Sequence, residues 1–176
     1  FSVKRLWTVL AVGMFVMFGV LLLMGRQIYQ LAPPIPEAVT AKNGETLFTR
    51  ADIETGQNVW QSIGGMEQGS IWGHGSYLAP DWSADWLHRE AQALLALSSS
   101  NAPTGVSPAQ ADAISKAALQ NEMRANTYDP ASGVITVSKT RALAIKQVQA
   151  HFVSLYVGDD AASLDLRRSY AFPVHG

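Results

Sequence analysis

The chain has 176 residues, with 13 Lys and Arg against 14 Asp and Glu, four His and no Cys, for a net charge of −1. That length sets one domain of ordinary size with room for an appendage, and the missing cysteines exclude a disulfide framework, a thiolate zinc site, an iron–sulfur cluster and a C-x-x-C-H attachment of c-type haem. A balanced, unclustered charge set argues against nucleic acid as a partner.

From Leu6 to Gly25 there are 20 successive uncharged residues, and at about 1.5 Å of helical rise each they reach the ~30 Å thickness of a bilayer's hydrocarbon core. The segment reads as a retained membrane span. A cleaved signal peptide would end at a small-x-small site, whereas Arg26-Gln27-Ile28-Tyr29 follows directly. Lys4 and Arg5 precede the span and only Arg26 follows it closely, so the positive-inside bias places the N-terminus in the cytoplasm and the remainder outside. Trp7 and Tyr29 sit near the two headgroup levels. The expected organisation is an anchor helix over 1–31, a linker over 32–42 stiffened by Pro33, Pro34 and Pro36, and a folded domain over 43–176.

Four helical stretches are expected in that domain, which makes the fold mainly α. Thr49 and Asp52 form a capping arrangement ahead of Ile53, Gly56, Val59, Trp60 and Ile63 on one face, stopped by Gly64-Gly65. Ser83 with Asp85 opens a second helix whose stripe is Trp86, Leu87, Ala91, Leu94 and Leu95. Ser98 to Asn101 reads as a loop. Ser107-Pro108 with Gln110 starts a third helix, with Ala111, Ile114, Ala118 and Met123 inward. Tyr128 to Gly133 is a turn, and Val134 to Val137 a single β-like run, too little for a sheet. Ser138 opens the fourth helix, through Leu143, Ile145, Val148, Phe152 and Leu155 to Gly158, after which Asp159-Asp160 reads as a solvated turn.

His74, His88, His151 and His175 give no pair at i, i+3 or i, i+4, and no H-E-x-x-H, G-x-S-x-G, P-loop or dinucleotide fingerprint is present. His74 and His88 read as hydrogen-bonded polar residues, and His151 and His175 as largely exposed. The unusual stretch runs from Gly56 to Trp86, where Trp60, Trp72, Tyr77, Trp82 and Trp86 alternate with glycines at 64, 65, 69, 73 and 75. Two readings stand for it: a loop folded over its own core, or a surface shaped for a bulky partner or cofactor.

At this stretch the sequence resembles the membrane-anchored cytochrome c subunit of bacterial nitric oxide reductases, whose pattern is G-x-x-V-W-Q, then C-x-x-C-H, then G-x-G-x-Y-x-A-P. Gly56 to Gln61 matches the first part and Gly73 to Pro80 the last, at the same separation. Gly65, Gln68 and Gly69 stand where the two haem-linking cysteines and the ligand histidine would be. The attachment motif is therefore erased in place. That combination is similar to the quinol-dependent nitric oxide reductases, in which a haem-free cytochrome-c-like domain precedes a multi-helix catalytic part; Gly69 to Glu90 and Asn126 to Pro130 also fit.

The resemblance implies a haem-free cytochrome-c-like segment that anchors and caps the catalytic portion of an enzyme reducing two NO to N2O with electrons from membrane quinol. It implies no catalytic residue in the segment. Haem b, haem b3 and non-haem iron belong to the catalytic portion, which is expected on a continuing polypeptide or a separate subunit. The lipid bilayer is the other partner, and the location is the bacterial inner membrane with the domain in the periplasm. Trp72, His74, Tyr77, Trp82 and Trp86 are expected at the interface with the catalytic portion, with Trp60, Trp72, Trp82 and Trp86 largely buried there or inside the domain. The Gly75 carbonyl and an oxygen of Tyr77 are implied calcium ligands at that interface. The competing readings are a tethered scaffold or sensor for an unrelated partner, and a metalloprotein built on His74, His88 and His151.

Overall fold

The computed structural model describes residues 2–73, 80–100 and 105–169, apart from the Gln68 side chain. Two compact units divide the chain, one ending at Ile35 and the other starting at Pro36. The first is a 29-residue helix, α1 (Val3–Leu31), with no buried residue and with its Leu, Val, Phe and Met side chains presented outward. Its length and composition suffice to cross a membrane. Outward apolar side chains along a whole helix are costly in water and cost nothing in hydrocarbon, which is the solvent this composition fits.

The second unit is mainly helical but contains a four-stranded sheet, in the order β2-β1-β4-β3. Strand β1 (Ala38–Ala41) pairs antiparallel with β2 (Thr46–Thr49) and parallel with β4 (Val134–Val137), while β3 (Tyr128–Asp129) closes an antiparallel hairpin onto β4. Two expectations are corrected here. The second half of the expected 32–42 linker is strand β1, and the run at 134–137 does belong to a sheet. Local pattern gave no warning because the central pairing joins segments distant in sequence, Ala38 to Val134 and Ala41 to Val137. Gly133 makes the hairpin turn possible: its φ of +70° suits glycine, and a Cβ there would lie 2.8 Å from Glu37 Cγ.

The expected helix starts are largely where the caps stand. Thr49 accepts from the Asp52 N–H and donates its own N–H to Asp52, a reciprocal box that opens α2 (Arg50–Ser62). The same arrangement between Ser107 and Gln110, with Pro108 first, opens α5 (Pro108–Arg124). Ser138 caps α6 (Lys139–Val157) through the Arg141 N–H. A single turn, α3 (Gly65–Gln68), follows α2 after Gly64 in the left-handed region.

Helix α4 (Trp82–Ser100) starts one residue before Ser83, capped by Asp81, and carries Ser98 to Ser100 as its last turn rather than as a loop. Ser99 and Ser100 there donate to the carbonyls of Leu95 and Leu97, which keeps the serines on the helix. Asp160 is likewise no solvated turn. Its carboxylate accepts from the N–H and hydroxyl of Ser163 and so starts α7 (Ala161–Ser169), a helix the sequence reading missed.

Helix α6 is the centre of the packing, with Ala142, Ala144, Ile145, Val148 and Leu155 buried. Ala41, Val137, Ala142 and Ile145 form one cluster where the sheet meets α6, flanked by Phe48, Ile135 and Trp86. Three faces turn differently from expectation. Leu143 on α6 is exposed; α5 buries Ser115 while Ile114 and Ala118 face out; and α2 has no fully buried residue, with Ile53 and Trp60 half-buried and Val59 and Ile63 exposed. Each carries apolar residues on more than one side, so the periodicity alone left the buried face ambiguous.

Candidate functional site

Two cavities meet at Trp86. The first, about 360 Å³, is walled by Trp60 from α2, Trp82 and Trp86 from α4, and Phe152 and Tyr156 from α6. Leu87, Ser83, Ile71 and Trp72 complete its lining among the described residues. Trp82 stands edge-on to Trp60 with ring centroids 6.4 Å apart and to Phe152 at 6.2 Å, and Trp86 stacks on Phe152 at 5.4 Å. Burial raises the Tyr156 phenol above its ordinary value, so it stays neutral at physiological pH.

The glycines explain how the rings reach these positions. A Cβ on Gly65 would lie 2.2 Å from the Trp60 ring, and one on Gly69 would lie 2.1 Å from Trp82 Nε1 and 2.7 Å from the Pro80 carbonyl oxygen. These are two of the positions that the resemblance assigns to haem-linking and ligand residues. Each lies against an indole that would have to move before any side chain could stand there. Gly69 has extended backbone, so its substitution is a purely steric test. Gly69→Ala is expected to lower stability by about 2 to 3 kcal/mol in urea denaturation and to change the near-ultraviolet circular dichroism of tryptophan. An unchanged spectrum and midpoint would mean that Trp82 does not pack on Gly69.

Asp81 fastens this corner. Its carboxylate accepts from the Ala84 N–H at 2.9 Å, the Gly73 N–H and the Ser70 hydroxyl at 3.0 Å, while Ser70 and Trp82 also bond through their backbones. The Ala84 N–H, ahead of Gly73 and Ser70, holds the carboxyl below its ordinary value of 3.8. A lowered folded pKa stabilises above the unfolded value, and that contribution is lost as pH falls through the folded value. The stability advantage of the native chain over Asp81→Asn is therefore expected to persist from neutrality down to about pH 4 and to shrink below it. Paired thermal melts across pH check this, and a gap independent of pH would refute it.

The second cavity, about 350 Å³, opens between the sheet and the helices, with Glu90 and Arg141 in its lining. The two side chains are only 3% and 21% exposed and pair at 2.7 Å. The second carboxylate oxygen of Glu90 accepts from Trp86 Nε1 at 3.2 Å, and Arg141 also donates to the Glu122 carbonyl at 3.0 Å. Sequence reasoning passed over this pair although a signal existed. Glu90 stands four residues after Trp86 and four before Leu94, a charged residue in the middle of an apolar stripe.

The expected site residues are placed unevenly. Trp82 is 7% exposed and Trp60 and Trp86 are half-buried, whereas Trp72 is 71% exposed, in a left-handed conformation with φ of 54°. The expectation of a buried Trp72 is not met within this chain, because the strained turn holds the ring outward, while the Trp72 backbone N–H donates to the Ser83 hydroxyl at 3.1 Å. His74, Gly75, Tyr77 and His175 lie outside the described residues, and with them the implied calcium ligands. His88 is exposed and bonds with Gln92 at 2.9 Å. His151 is half-buried rather than exposed, its Nε2 enclosed, and burial lowers its pKa below 6.5. Among the described residues no group of three or more His, Asp or Glu side chains could hold a metal ion.

Comparison with known proteins places this architecture. The family model for the NorB cytochrome c-like domain of nitric oxide reductase matches residues 36–173, which includes all the described strands and helices after α1. No curated protein sequence gives a match.

Proposed function

We infer what this chain does from the family to which it belongs, the NorB cytochrome c-like domains of nitric oxide reductase. It serves a nitric oxide reductase, and within that enzyme it is a haem-free segment of the type that takes electrons from membrane quinol. Its apolar helix anchors it in the bacterial inner membrane with the N-terminus in the cytoplasm, and its periplasmic domain caps the multi-helix catalytic portion. The segment performs no chemistry itself. Reduction of two NO to N2O takes place on haem b3 and non-haem iron of the catalytic portion, with haem b as the electron relay.

The observation that carries this reading is the packing at Gly65 and Gly69. In a domain of cytochrome c type, residues at these positions would tie the haem to the chain. Here no cysteine exists, and indole rings lie against both glycines. Without that haem the domain has no relay from a periplasmic donor, and quinol, which delivers electrons within the membrane, needs none. In the same reading calcium binds the Gly75 carbonyl and an oxygen of Tyr77 against a carboxylate of the catalytic portion, since glycine-rich turns offer hard oxygen ligands without obstruction.

The test uses the membrane complex purified through this chain. NO consumption is expected with a reduced quinol analogue and not with reduced cytochrome c, and chelation of calcium is expected to slow the quinol-driven rate. Turnover driven by cytochrome c, or a complex without NO reduction, would overturn the assignment. Protease added to spheroplasts checks the orientation, with digestion of the domain expected.

A further inference from the structure

We propose that the cavity beside Glu90 and Arg141 binds a small, uncharged, mostly apolar molecule through one hydrogen-bond acceptor, to which the Arg141 guanidinium donates. The cavity's volume of about 350 Å³ falls within the range of small-molecule sites, roughly 300 to 1,000 Å³. Val39 and Phe48 from the sheet, Met123 from α5 and Ile145 from α6 give it apolar walls. Such walls favour an apolar body on the ligand in proportion to the area taken out of water. Ala125, Asn126 and Thr127 line the same cavity and are exposed, so a ligand enters past the segment that joins α5 to β3.

The guanidinium decides the rest of the class. Its Nε donates to Glu90 at 2.7 Å and its Nη1 to the Glu122 carbonyl at 3.0 Å. Nη2 donates to no group among the described residues and retains accessible surface, and Arg141 lines this cavity. The two bonds hold the third nitrogen in place before any ligand arrives, which lowers the ordering cost of binding. An acceptor on the ligand would therefore meet a fixed, charged donor, the stronger kind of hydrogen bond. Glu90 sets the charge of the ligand. It already neutralises Arg141, so a ligand carboxylate would bring a second negative charge close to a side chain that is only 3% exposed, and a neutral acceptor avoids that repulsion and the loss of hydration. Both Glu90 oxygens are engaged, one by Arg141 and the other by Trp86 Nε1. The pair thus offers the ligand a donor and not an acceptor.

Three probes of similar size separate the possibilities: acetophenone, an apolar ring with one carbonyl; ethylbenzene, which lacks the acceptor; and benzoate, which carries a charge. The full chain in phospholipid nanodiscs is titrated calorimetrically with each, against empty nanodiscs. Saturable one-site binding of acetophenone is expected only where the chain is present, with benzoate weaker by about tenfold or more. Arg141→Lys keeps the charge beside Glu90, but its single nitrogen is held by the Glu90 carboxylate and the Glu122 carbonyl and nothing stands in the place of Nη2. That variant is expected to weaken acetophenone about fivefold and ethylbenzene by less than about twofold, the ethylbenzene titration also reporting that the cavity has kept its shape. Ala125→Trp, at an exposed position on the rim, is expected to block both. Equal uptake by empty nanodiscs, benzoate binding tighter than acetophenone, equal weakening of acetophenone and ethylbenzene by Arg141→Lys, or undiminished binding in Ala125→Trp would overturn the proposal. So would binding to the chain that vanishes in the assembled reductase complex, because the cavity would then belong to a partner side chain. None of these readouts depends on NO turnover, so the site and the electron-donor reading fail separately.

Discussion

Replacing Trp82 with alanine is expected to destabilise the domain by about 3 to 5 kcal/mol, the range for removing a buried tryptophan. The ring is 7% exposed and touches Trp60, Phe152 and Tyr156, with Gly69 against its indole nitrogen. Its removal would join the vacated space to the existing cavity, and the neighbouring rings, held by α2 and α6, have little freedom to close it. Trp72→Ala supplies the contrast: that ring is 71% exposed, and its loss is expected to shift stability by no more than about 0.5 kcal/mol. Urea denaturation of both variants followed by far-ultraviolet circular dichroism decides the matter. Equal losses would show that the aromatic cluster is not a packing centre.

Glu90→Ala is the second large effect, about 3 to 4 kcal/mol, because it strips the partner from a guanidinium that is mostly buried. Among the described residues Arg141 would keep only the Glu122 carbonyl, and Trp86 Nε1 would lose its acceptor. The cost lies in the orphaned groups more than in the attraction between the charges. Accordingly, the double variant Glu90→Leu with Arg141→Met is expected to recover most of the loss, since it removes both charges and fills similar volume. A double variant as unstable as the single one would mean that the pair is net stabilising in its own right, contrary to this account.

Much of the candidate site was legible in the residues. Gly65 and Gly69 and the tryptophans around them stood out as an unusual stretch, read either as a loop over its own core or as a surface for a partner. Phe152 and Tyr156 were not legible as part of it, because they arrive from α6, some seventy residues further along. Asp81 was missed as a cap for a related reason. Its partners Ser70 and Gly73 precede it across a loop, and only Ala84 lies at capping distance in sequence.

What the sequence determined alone is what short-range physics controls. Twenty uncharged residues specify a span long enough for a bilayer, whatever follows them. The caps at Thr49, Ser107 and Ser138 specify where helices begin, since a side-chain oxygen reaches only the N–H groups of the next turn. The absence of cysteine excludes thioether haem without any structure at all. The tertiary structure decided the rest, because it concerned partners distant along the chain. Four-residue strands become a sheet only when Ala38 finds Val134, an apolar helix face is inward only if another element covers it, and Trp72 and Trp82, similar in sequence context, differ because a strained turn presents one outward while α4 and α6 enclose the other. Burial is a property of the assembled surfaces, and a residue's own chemistry supplies only the tendency toward it.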